Sequence, residues 1–197
     1  MAVRFKFNFP KAKNALLYIA QQELPEFTKG KACKLTFLVD KHHLVRYGRP
    51  VTGDAYCALE HGPVPSRLLD LLDAVEAGNL QSDEIRELAA AFSLDRRFVY
   101  PRLRPVERPR IENLSESDIE SINDTIREHG RKSFAELRAL THEIPAYKTA
   151  WGARTLGSVP MQFEQFFDED ESALVGTKEE MIENDRLRAA FPEPAWL

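Results

Sequence analysis

Residues 34–66 read KLTFLVDKHHLVRYGRPVTGDAYCALEHGPVPS, and this stretch decides the fold. Leu35, Leu38, Val39, His42 and Val45 recur at helical spacing, so they form the predicted buried stripe of a long helix running to Tyr47. Thr28 is its expected cap. Gly48 suits the left-handed position just past a helix end, and Pro50 blocks continuation. Ala55 to Leu59 then reads as a short strand after a Thr52-Gly53 turn, and His61-Gly62-Pro63 breaks it. Pro65 and Ser66 open a further helix carrying Leu68, Leu69, Leu72 and Val75, closed by Gly78-Asn79.

Working outward, Asn8 with Pro10 starts a helix through Ala15, Leu16, Ile19 and Ala20, which Pro25 ends. Ser82 caps a shorter helix over Asp83 to Ala91. From Phe92 to Arg104, the residues Phe92, Leu94, Phe98 and Tyr100 suggest strand pairing around Asp95-Arg96. Pro101, Pro105 and Pro109 confine that region to an edge or a loop. Ser115 with Asp118, and Ser133 with Glu136, are capping boxes for two more helices. The first carries Ile119, Ile122 and Ile126 and stops at Gly130. The second carries Phe134, Leu137 and Leu140, and Pro145 interrupts before Tyr147 and Trp151. Met161 to Phe167 suits one or two helical turns, Asp168 to Glu171 a solvated acidic loop, and Thr177 with Glu180 the start of a polar helix to about Ala190. The expected fold is mainly α within the mixed α+β class: a compact helical bundle with a small antiparallel β element. The expected division is a domain over 8–167, followed by an acidic loop and polar helix over 168–197.

Composition narrows the function classes. With 197 residues, 43% hydrophobic and 29% charged, the chain can bury a core without disulfides or metal. No apolar run reaches membrane-span length, and Met1 to Pro10 lacks the pattern of a secretory signal, so a cytoplasmic protein without membrane contact is expected. Cys33 and Cys57 read as small buried hydrophobes in a reducing compartment. Charge is uneven: residues 1–110 carry 18 Lys+Arg against 13 Asp+Glu, and residues 111–197 carry 9 against 18.

Catalytic patterns are missing from the sequence. No glycine cluster suited to cradling phosphate precedes a helix. His42 and His43, being adjacent on a helix, point to different faces and cannot chelate one ion; no H-E-x-x-H occurs, so neither a metal nor a cofactor is expected. His142 could act as a general base, but no nucleophile or carboxylate partner is identifiable, and capping or packing explains it better. Arg96, Arg97, Arg102, Arg104, Arg108 and Arg110, interleaved with Phe98 and Tyr100, form the strongest candidate binding patch. They suit nucleic acid, or else a solvated loop that binds the chain's own acidic helices or an acidic partner, and the acidic total charge disfavours nucleic acid.

The ordered set Y-G-x-P-[IV] at Tyr47 to Val51, G-P-V-P at Gly62 to Pro65, and S-x-x-E-L-x-x-x-T-H at Ser133 to His142 resembles the Panacea antitoxin domain, also called SocA-like. The resemblance covers about Asn8 to Phe167. It implies a bacterial or phage toxin–antitoxin module whose members neutralise a cognate protein toxin by direct contact. The founding SocA instead delivers its toxin to a cellular protease. The resemblance implies no catalytic residue, and no enzymatic activity is expected. Within this reading Tyr47, Gly48, Pro50, His61, Gly62, Pro63 and His142 are structural motif residues, and Arg96, Arg97, Tyr100, Arg102 and Arg104 are the partner-binding candidates.

Overall fold

The computed structural model describes residues 3–155, 157–167 and 175–190. Helix α1 spans Phe9–Ala20, with the Asn8 side chain accepting the Lys11 N–H at 3.0 Å. Helix α2 spans Lys29–Tyr47, begins at the Thr28 cap and ends at Gly48, whose φ is +69°. Every residue from Lys31 to Asp40 is buried, so α2 is the central helix and has no single apolar face. This corrects one expectation: His42 is only half-buried, and His43 beside it is the fully buried ring. A helix enclosed on all sides gives no stripe for periodicity to detect.

Among the described residues, two small antiparallel sheets and seven other helices accompany α2. Strand β1 (Tyr56–Leu59) pairs with β2 (Gly62–Pro65), Tyr56 opposite Pro65 and Leu59 opposite Gly62. His61-Gly62-Pro63 therefore does not end the sheet; it turns the chain into a second strand. Gly62 sits at φ +101°, where a side chain would be strained, and the prolines are tolerated because β2 is an edge. Helices α3 (Ser66–Ala77) and α4 (Asp83–Ala91) follow, and the carboxylate of Asp54 accepts the Arg67 and Leu68 N–H groups at the start of α3.

Strands β3 (Phe92–Asp95) and β4 (Arg102–Pro105) form the second sheet, with Asp95 opposite Arg102. The expected turn at Asp95-Arg96 is instead a six-residue connection, 96–101, which removes Phe98 and Tyr100 from the strands and exposes them. Helices α5 (Glu116–His129) and α6 (Phe134–His142) each start at the expected capping box. Pro145 opens α7 (Pro145–Gly152) rather than interrupting a helix, since its fixed φ suits a first helical turn. Strand β5 (Val159–Pro160), not anticipated, adds to β1, giving the order β2-β1-β5. Phe163–Gln165 forms one tight helical turn.

Helix α8 (Val175–Ala190) places Thr177 inside the helix rather than at its cap. Met181 of α8 is buried, and the Arg4 N–H donates to Asp185 at 3.3 Å. The acidic run Asp168 to Glu171 lies outside the described residues. Among the described residues, no helix is long and apolar enough to cross a membrane.

Candidate functional site

The motif residues lie in two places: Tyr47, Gly48 and Pro50 where α2 ends, and Gly62, Pro63 and His142 around Lys34 in the first half of α2. Asp40, fully buried on α2, accepts the Val51 N–H at 2.9 Å, the Thr52 N–H at 3.0 Å, the Tyr56 hydroxyl at 2.8 Å and the Thr52 hydroxyl. This carboxylate folds the loop after Pro50 back against its own helix. Burial nevertheless pushes its carboxyl up to about 6. Gly48 reverses the chain, Pro50 is buried, and the Tyr47 hydroxyl donates to Glu120 on α5 at 2.6 Å.

Two buried lysines anchor a loop and strand β2 to the central helix. Lys31 donates to the Pro25 carbonyl at 2.7 Å, and Lys34 to the Pro63 carbonyl at 2.7 Å. Burial lowers both, Lys34 to about 8. Gly62 has no space for a side chain, because a Cβ there would lie 2.9 Å from Lys34 Nζ and 3.0 Å from Thr141 Oγ1. His61 is exposed beside this point. His142 stacks on Tyr147 at 4.5 Å, Tyr147 stacks on Trp151 at 5.9 Å, and the Tyr147 hydroxyl donates to the Leu59 carbonyl at 2.9 Å. That ladder ties α6 and α7 to β1.

A third buried group joins α2 to α5. The Nδ1–H of His43 donates to the Arg49 carbonyl at 2.6 Å, and Nε2 accepts from Ser117 Oγ at 3.1 Å. Asp118 lies 3.2 Å from Nε2 and is paired with Lys11 and Arg49. Burial pushes His43 down to about 4, and the same two cations add to that effect. Burial opposes ionisation of Asp118, but the Lys11 ammonium, the Ser115 N–H and Arg49 outweigh it and hold its carboxyl below the usual range.

Because the unfolded ring protonates near 6.5, stability from neutral His43 is complete above pH 6.5 and is lost as pH falls through about 4. Relative to wild type, His43→Gln is expected to gain about 2 to 3 kcal/mol between pH 7 and pH 4, following the displacement of that pKa. Urea titrations at both pH values read this, and parallel stability curves would contradict it.

The partner-binding candidates lie together on the β3–β4 hairpin. Arg97 clasps Asp95 through two hydrogen bonds of 2.8 Å, and Arg104 lies 3.5 Å from the same carboxylate. The Arg97 hydrogen bonds hold Asp95 well below the usual carboxylate range. Arg96 donates to the Glu76 carbonyl at 2.7 Å. The Arg102 guanidinium carbon lies over the Phe98 ring, 3.6 Å from its centre, and the guanidinium is 3.9 Å from Glu26. Tyr100 is 76% exposed and Val99 92%. Sequence reasoning missed Val99, because one valine between a phenylalanine and a tyrosine reads as strand.

The hairpin base meets a strained loop. Glu23 and Glu26 both adopt φ +51°, in the left-handed region that costs a non-glycine residue about 1 kcal/mol. The Leu103 N–H donates to the Phe27 carbonyl at 2.8 Å, so the loop and β4 are joined.

A family model described as Antitoxin SocA-like, Panacea domain, matches residues 33–152. The chain belongs to that family. The matched Panacea segment starts inside α2 and stops at the last residue of α7, a narrower span than the Asn8 to Phe167 expected from motifs. It contains the Asp40 loop, the β1–β2 hairpin, the aromatic ladder and the exposed β3–β4 hairpin; α1 and α8 fall outside it. No curated protein and no solved structure matches the chain.

Within the Panacea segment, burial pushes the Cys33 thiol up to about 12, far from a reactive thiolate. Cys57 accepts a hydrogen bond from the Ser66 hydroxyl at 3.2 Å. Among the described residues no group of three or more His, Cys, Asp or Glu side chains could hold a metal ion.

Proposed function

We propose that this Panacea protein is the antitoxin of a toxin–antitoxin module, acting in the cytoplasm by binding its cognate protein toxin directly, without catalysis. Membership of the SocA-like antitoxin family supports the general role. The observation that carries the binding mode is the β3–β4 hairpin, which presents Tyr100, Arg102 and Arg104 on a ribbon anchored at both strands. Tyrosine and arginine at the centre of an interface typically carry most of its energy. Excess positive charge around them favours fast encounter with an acidic partner. The motif residues have a different part: they hold the loop, the β1–β2 hairpin and the helices against α2, so the exposed hairpin projects from a fixed frame.

The test is co-expression with the adjacent reading frame. That frame alone is expected to arrest growth, and growth is expected to return with this chain present. Arg102→Glu combined with Arg104→Glu is expected to weaken the complex at least tenfold and to reduce protection. Unchanged protection and affinity would reject the hairpin as the interface. A toxin that disappears only when a cellular protease is present would replace masking by the adaptor mechanism. DNA or RNA binding with steep salt dependence would instead indicate a nucleic-acid regulator.

A further inference from the structure

Phe98, Val99 and Tyr100 form three consecutive exposed apolar side chains at the end of the β3–β4 hairpin, and Val99 at 92% is nearly free of protein contact. Surface apolar residues normally occur singly; a contiguous group marks an interaction site. The hairpin beneath them is held rigidly. Phe92 at its base and Leu103, opposite Leu94, are buried, the four-residue register from Phe92–Pro105 to Asp95–Arg102 is intact, and Leu103 is bonded to Phe27. Arg96 fastens the start of the connection to the Glu76 carbonyl, and Arg102 stacks on Phe98. A tip fixed in this way loses little conformational freedom on binding.

The charges around the tip define its counterpart. Asp95 is shared by Arg97 and Arg104, while among the described residues Arg96 and Arg102 meet no acidic partner closer than the 3.9 Å of Arg102 to Glu26. The rim is therefore cationic and the end apolar. Nucleic acid would use the arginines and stack on Tyr100, but gains nothing from an aliphatic side chain held outermost. Resting on the antitoxin reading, we propose that Val99 and Tyr100 enter an apolar pocket on the toxin, and that acidic residues around that pocket meet Arg96 and Arg102.

The experiment uses the full-length chain and the product of the adjacent reading frame, measured by calorimetry and by growth protection. Val99→Asp combined with Tyr100→Ser is expected to raise Kd at least thirtyfold and to abolish protection, because tyrosine is a typical interface anchor and the new carboxylate would have to be buried in an apolar pocket. The melting temperature is expected to stay unchanged, since both side chains face solvent. Leu80→Ser, which changes an exposed leucine between α3 and α4, is expected to leave Kd unchanged. Protection by wild type together with undiminished binding by the double variant would overturn the plug while leaving the antitoxin reading intact. Failure of wild type to bind or protect would overturn both. Binding of a single-stranded oligonucleotide, steeply salt-dependent and indifferent to the double variant, would also overturn it.

Discussion

Asp40→Ala is expected to destabilise the fold by about 4 kcal/mol, while Asp40→Asn is expected to cost less than about 1 kcal/mol at pH 7. Alanine leaves the Val51 and Thr52 N–H groups and the hydroxyls of Thr52 and Tyr56 facing a dry space with no acceptor. Each buried donor stranded in this way costs about 1 to 3 kcal/mol, reduced where a hydroxyl finds another acceptor. The Tyr56 hydroxyl already lies 3.4 Å from the Thr36 carbonyl.

Asparagine behaves differently. Its Oδ1 still accepts the two backbone N–H groups, and the two hydroxyls can turn to accept from Nδ2. It also removes a cost, because burial raises the Asp40 carboxyl from 3.8 to about 6. Native Asp40 holds its proton more tightly than the unfolded chain does, so the favourable contribution is complete below pH 3.8 and is lost as pH rises through about 6. The stability of wild type minus that of Asp40→Asn should therefore fall by about 2 kcal/mol between pH 4 and pH 7. Urea unfolding at pH 4, 5 and 7 reads both variants. Asp40→Ala within 1 kcal/mol of wild type, or Asp40→Asn as damaging as alanine at pH 7, would contradict the role given to this carboxylate.

The second large effect is expected at Gly53. Gly53→Ala should destabilise by about 3 to 4 kcal/mol, the sum of a left-handed backbone and an overlap with main chain. The position has φ +69°, and a Cβ would fall 2.2 Å from the Lys6 carbonyl oxygen and 3.0 Å from its carbon. Backbone cannot rotate away as a flexible side chain can. The segment is held there by the Asn8 N–H, which donates to the Thr52 carbonyl at 2.9 Å.

Gly78 supplies the control. Its φ is +72°, but nothing lies within 4 Å of the added carbon, so Gly78→Ala should cost only about 1 kcal/mol. Similar losses at the two glycines in urea titrations would show that close packing of residues 6–8 under the loop contributes nothing.

The sequence exposed helix ends more readily than buried polar groups. Asn8, Thr28, Ser82, Ser115 and Ser133 all cap where their local pattern places them, because a cap is satisfied within three residues of itself. Gly48 and Pro50 likewise mark the end of α2 through local backbone constraints. Asp40, Lys34 and His43 were not legible as a network, since their partners lie in other elements: the loop at Val51 and Thr52, strand β2, and helix α5. The strand Gly62–Pro65 was hidden because prolines argue against a strand until an edge position is known. At the hairpin, the arginines were recognisable by composition. Their engagement with Asp95, the Glu76 carbonyl and Phe98 depends on a six-residue connection that strand periodicity could not reveal. The apolar tip emerged only with that geometry.

The central claim is that this Panacea protein acts by holding another protein. The most direct measurement is titration of the purified chain with the product of its adjacent reading frame, followed by an assay of the toxin's activity. The account predicts a stoichiometric complex in which both proteins stay intact and the toxin is silent. A toxin that remains fully active while this chain is in excess, with no complex formed, would contradict it.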